Sequence, residues 1–239
     1  MGRRLKKIIL NPVQPEMEAE KHWEELREES IKLRFALKPL NRKQELYLNA
    51  IETSVLTFVT GPSGTAKTYL ACWMAIQFLI SNKVERIILS RPALECGEKI
   101  GHLPGTSVEK ISGYLFPLID ALSDFLGEKV VDKLIEDDKI RLCPISLMRG
   151  SSFKNSIIVV DESQNLTFSQ LKMLITRIGK DCTMVVSGDY KQSDLLTKDN
   201  DLFKMINELK SIPDISFINF TKDEVVRSGL VKSIINVLE

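Results

Sequence analysis

The chain has 239 residues, 44% of them hydrophobic and 27% charged, which is the size of one large domain or a domain with an extension and excludes wholesale disorder or a collagen-like repeat. With 33 Lys and Arg against 32 Asp and Glu the net charge is +1, so no global basic field announces nucleic acid and any such contact needs a local patch. No apolar run approaches the ~20 residues that cross a bilayer, Cys72, Cys96, Cys143 and Cys182 form no CxxC, and His22 and His102 lack partners at zinc-ligand spacing, so the expectation is a cytoplasmic protein with reduced thiols and no membrane span, signal peptide or structural zinc.

Residues 1–38 read as an N-terminal arm. Arg3, Arg4, Lys6 and Lys7 open it, Pro12 and Pro15 follow, and residues 16–37 then suggest a solvated helix with Trp23, Leu26, Leu33 and Leu37 as sparse apolar points. Residues 39–239 read as one domain. Asn41 and Gln44 have the spacing of a helix N-cap and the reciprocating position of a capping box. Beyond them, strands are predicted at 55–60, 86–90, 157–160, 184–187 and 215–219, and helices near 68–81, 108–125, 129–136, 169–178 and 202–209. Strands apolar on both faces that alternate with helices predict a three-layer α/β domain around a mostly parallel sheet.

Chemistry enters directly after the first of these strands. Gly61-Pro62-Ser63-Gly64-Thr65-Ala66-Lys67-Thr68 lies between a strand and a helix, the context in which a phosphate loop forms. Its glycines let backbone N–H groups point inward, the helix start adds partial positive charge, Lys67 can reach the β and γ phosphates, and the Thr68 hydroxyl can ligate Mg²⁺. Ala66 stands where the usual pattern has glycine. A methyl is tolerated there if residue 66 has near-helical dihedrals, whereas a need for positive φ or very close phosphate approach would lower nucleotide affinity.

The strand at 157–160 runs into Asp161-Glu162, two carboxylates at the end of a sheet that presents its ligands at strand C-termini. Asp161 fits a Mg²⁺ role, and Glu162 fits the orientation or deprotonation of an attacking water. The strand at 184–187 runs into Gly188-Asp189 and then Gln192, which places a carboxylate and an amide where a γ-phosphate can be sensed. These elements, each after a strand, make nucleotide hydrolysis the leading chemistry.

Together these residues resemble the PhoH-like proteins, whose core is similar to a single RecA-type domain of the superfamily 1 helicase kind. The likeness runs from Leu37 to the C-terminus and is carried by Arg91-Pro-Ala-Leu-Glu-Cys-Gly-Glu-Lys-Ile-Gly-His-Leu-Pro-Gly105, Met148-Arg149-Gly150, Asp161-Glu-Ser-Gln-Asn165, Thr176-Arg177-Ile-Gly179, Gly188-Asp189 with Gln192, and Val225-Val-Arg227-Ser228. Ala66 for Gly and Ser163 for Ala depart from the family pattern. The resemblance implies ATP and Mg²⁺ as ligands, Gln44 as the residue that reads the adenine edge, and Arg91 at the head of a segment that meets single-stranded nucleic acid. It further implies a helicase-like motor on RNA or single-stranded DNA, assembled as a hexameric ring in which Arg227, or failing it Arg177, reaches a neighbour's γ-phosphate. Two other readings stay open at this point: a non-motor assembly protein with weak ATPase activity, and a small-molecule kinase.

Overall fold

The computed structural model describes residues 33–92, 107–189, 200–226 and 229. Six strands, Leu56–Thr60 (β1), Arg86–Ser90 (β2), Ile140–Leu142 (β3), Ser156–Val160 (β4), Cys182–Gly188 (β5) and Ile215–Asn219 (β6), form one all-parallel sheet in the order β3-β2-β4-β5-β1-β6. β1 and β4 are buried along their whole length, as apolar runs without polar alternation require when both sheet faces are covered. Alternation survives as a division between two cores. Val59, Ile87, Ile157, Val159 and Val185 face one layer of helices, and Phe58, Ile88, Ile158, Val160 and Val186 face the other.

The first layer contains Arg42–Thr53 (α1), Lys67–Ile80 (α2), Ser107–Leu126 (α3) and Glu128–Glu136 (α4), closing over Phe78, Leu122 and Phe125. The second contains Phe168–Ile175 (α5) and Asp201–Leu209 (α6), with Leu171, Leu174 and Met205 buried against the sheet. Thr167 caps α5 in a full capping box with Gln170, and Asn200 caps α6 by accepting from the Phe203 N–H. Among the described residues no helix is long and apolar enough to cross a membrane. Cys72, Cys143 and Cys182 are free and buried, and burial raises the pKa of all three thiols; Cys96 lies outside the described residues.

Two expectations need correction. The helix predicted over 16–37 is absent from its described end, since residues 33–41 are non-helical. Leu33 and Leu37 instead pack on the first core, the Phe35 ring lies 5.2 Å from that of Phe125, and the Arg34 N–H donates to the Phe125 carbonyl at 2.9 Å. Pro39 also disfavours helical dihedrals at Lys38. The second is β3, absent from the predicted strands because three residues interrupted by Arg141 carry no readable periodicity.

Candidate nucleotide site

β1 delivers the chain to Gly61, whose φ of +136° and contact with the β6 side leave no space for a side chain: a Cβ there would lie 2.5 Å from the Phe220 carbonyl oxygen. The loop then turns into α2 at Lys67. Ala66, with φ 67° and ψ 23°, is in the left-handed region and not near-helical, so the alanine bears the cost of positive φ while the backbone already has the loop's conformation. Inside the loop the Thr65 hydroxyl donates to the Pro62 carbonyl at 3.0 Å. Lys67 Nζ donates to the carbonyls of Gly61 and Pro62 at 2.6 and 2.9 Å, which holds the ammonium at the loop's mouth. Burial lowers the Lys67 pKa, while Asp189, Asp161 and Glu162 act against that shift and favour the charged form. Behind the start of α2, the buried Tyr47 hydroxyl donates to the Lys67 carbonyl at 3.3 Å and fixes where the helix begins.

The carboxylates come from β4. Asp161 Oδ1 accepts from the Thr68 hydroxyl at 2.8 Å and from the Ser187 hydroxyl at 2.7 Å. Two hard oxygen donors from Thr68 and Asp161 thus stand side by side at the loop, a donor set that suits a magnesium ion. Glu162, also left-handed at φ 54°, diverges from Asp161 although the two are adjacent in sequence. Its Oε2 accepts from Gln164 Nε2 at 2.5 Å, and its Oε1 lies 3.3 Å from Arg91 Nη2. Gln164 Oε1 in turn accepts from the Asp189 N–H at 3.0 Å, which ties the ends of β4 and β5 together. The Ser163 hydroxyl donates to the buried Ser187 carbonyl at 2.7 Å. Between these groups lies a cavity of about 230 Å³, walled by Ser63, Gly64, Lys67, Asp161, Glu162 and Asp189 among others.

Most of the residues singled out from sequence therefore converge, but not all. Gln44 is buried directly behind the loop: its Oε1 accepts from the Leu40 N–H at 2.8 Å and its Nε2 lies 3.5 Å from the Thr65 carbonyl. Half of the predicted capping box forms, with Asn41 Oδ1 accepting from the Gln44 N–H at 2.9 Å. Arg177 sits before β5, at the opposite end of the sheet from the cavity, and donates to the carbonyls of Met173 and Ser151 and to the Thr176 hydroxyl. Gln192 and Arg227 lie outside the described residues. The chain just before Arg227 is nevertheless placed, because the Val226 N–H donates to the Gly64 carbonyl at 2.9 Å. The contributions of Ser187 and Gln164 and the pairing of Arg91 with Glu162 were not legible in the sequence: Ser187 ends a predicted strand and Gln164 follows the Asp161-Glu162 pair, but nothing linear says which side chains they meet.

The PhoH-like protein family matches residues 36–239. The chain belongs to that family. A PhoH-like protein of Synechocystis sp. is 40% identical over 198 residues, covering 82% of this chain and 60% of its own length. The Bacillus subtilis PhoH-like protein is 40% identical over 197 residues, 82% of this chain and 62% of its own length. The chain thus spans less than two thirds of the curated relatives it matches. Among solved structures, the large terminase of a thermophilic bacteriophage superimposes with a TM-score of 0.53 at 13% identity, over 84% of this chain and 51% of that one. That likeness shows the fold, an α/β core resembling RecA-like ATPases. The protein is a PhoH-like P-loop NTPase, and its family implies nucleotide binding.

Proposed function

We propose that this protein binds ATP with Mg²⁺ and hydrolyses it, as an oligomeric motor that acts on RNA or single-stranded DNA. The observation that carries the hydrolytic reading is the divergence of the two carboxylates. Asp161 is bonded to Thr68 beside the phosphate loop, whereas Glu162 turns away from that pair on the cavity wall. Lys67 and the N–H groups at the start of α2 hold the β and γ phosphates. A magnesium ion at Thr68 and Asp161, when bound, supplies charge neutralisation of the phosphates. Glu162 orients a water and accepts its proton as the water oxygen bonds to the γ phosphorus. The bond from that phosphorus to the β–γ bridging oxygen breaks, giving ADP and inorganic phosphate, with the proton passed on to solvent or product phosphate. Water, not a second substrate, is the acceptor, and this sets the reading apart from a kinase.

Nucleotide titration and phosphate release test this. Lys67→Ala should lose most nucleotide binding, whereas Glu162→Gln should keep the parent's affinity and lose about 10²-fold or more in turnover. Lys67→Ala binding like the parent would sink the assignment. The nucleic-acid part rests on the helicase-like motifs from Arg91 onward and is read in the same assay, as acceleration of phosphate release by single-stranded RNA or DNA.

A further inference from the structure

Arg91 follows the last residue of β2, and its side chain crosses to the end of β4. There Nη2 meets Glu162 Oε1 at 3.3 Å, while Nη1 lies 3.5 Å from the Tyr114 carbonyl of α3. Gln164 holds the other carboxylate oxygen. Both oxygens of the group that has to take a proton from water are therefore engaged by donors. A carboxylate oxygen that already accepts from a guanidinium is not free to accept from a water until that pair opens.

The two partners differ in how readily they exchange. Gln164 is buried and also bonded to the Asp189 backbone, so it is a fixed part of the site. The Arg91–Glu162 pair is partly exposed, with the side chains 24% and 37% accessible, and pairs of that kind are weak enough for another anion to displace. A guanidinium takes phosphate oxygens in bidentate fashion, which makes a phosphodiester a competent rival for the carboxylate. β2 lies beyond β4 as seen from β1 and its phosphate loop, so Arg91 reaches Glu162 from the side away from the loop. A nucleotide seated on Lys67 lies on the opposite side of Glu162, toward β1.

We propose that Arg91 is a brake on hydrolysis: paired with Glu162 it keeps the carboxylate from activating water, and a phosphodiester of single-stranded nucleic acid releases Glu162 by taking the guanidinium. This rests on the reading of Glu162 as the water-activating residue and of nucleic acid as the partner. Arg91 is a positioning residue that acts through Glu162.

Phosphate release at saturating ATP is measured for the parent, Arg91→Ala and Arg91→Lys, each alone and with a 20-nucleotide thymidine or uridine oligomer, alongside titration with a non-hydrolysable ATP analogue. Without oligomer, Arg91→Ala should turn over about fivefold or more faster than the parent, the low end of ordinary coupling strengths. Arg91→Lys, which keeps the charge, should stay near the parent rate. The oligomer should accelerate the parent but change Arg91→Ala by less than about twofold, and analogue affinity should be the same in all three. An unaccelerated Arg91→Ala, or one that the oligomer stimulates as strongly as the parent, overturns the brake. A parent indifferent to both oligomers, with Arg91→Ala still faster, overturns the nucleic-acid reading and leaves the restraint on Glu162 standing.

Discussion

Ala66 and Glu162 are both non-glycine residues in the left-handed region, and each stands at a hinge of the site. At Ala66 the conformation costs an L-residue ~1–2 kcal/mol, partly offset because alanine has less unfolded-state freedom to lose than glycine. Ala66→Gly should therefore raise stability by roughly 0.5–1 kcal/mol, a gain of a few degrees in Tm for a domain of this size. Nucleotide affinity should change by less than about tenfold, since the backbone already has the loop's conformation; a gain of hundreds-fold by titration would mean that the methyl blocks the phosphate. The phosphate loop itself was legible in the sequence because Gly61, Gly64, Lys67 and Thr68 have fixed spacing between a strand and a helix. The dihedral of Ala66 was not, since propensity argues against the left-handed region for alanine. Nor was the turn at Glu162, which makes neighbours in sequence point to different tasks.

Elements were readable where burial imposes a period. β1, β2, β4, β5 and β6 were each located by their apolar runs, whereas β3 has too few residues to show a pattern, and no linear pattern gives the order in which parallel strands pair. That order builds the site. β5 lies between β4 and β1, so its Ser187 reaches Asp161 and its Gly188 leaves space for Gln164 to bridge to Asp189. A Cβ on Gly188 would approach Gln164 Oε1 and Ser163 Oγ to 2.8 Å each and Leu202 Cδ2 to 2.9 Å. Gly188→Ala should accordingly cost ~1–3 kcal/mol by overpacking, seen as a lower denaturation midpoint with an unchanged m-value. Because the displaced amide also holds Glu162, turnover should fall by a larger factor than nucleotide affinity; an unchanged midpoint and rate would show that the β4–β5 bridge adapts freely.

At the scale of the whole molecule, Arg227 can serve either the phosphate loop of its own subunit or that of a neighbour. Among the described residues the cavity is bounded by this core on one side only, and we propose that a neighbouring copy in a ring, most simply a hexamer, supplies a second wall. Head-to-tail contacts close in that way when the rotation per subunit allows, and Arg227 is the first candidate to cross the interface, as a finger that typically contributes ~10³ or more in turnover with little effect on binding. The hydrogen bond from Val226 to Gly64 adds a constraint, because the chain comes to residue 227 along its own phosphate loop. Arg227→Ala should abolish phosphate release while leaving analogue binding and assembly intact. Mixing it with Lys67→Ala then separates the two geometries: an arginine acting across the interface restores part of the activity, since some interfaces pair an intact loop with an intact arginine. No recovery in a mixture shown by mass to co-assemble would assign Arg227 to the loop that Val226 already touches. A single-subunit mass by light scattering at full ATPase activity would remove the ring altogether.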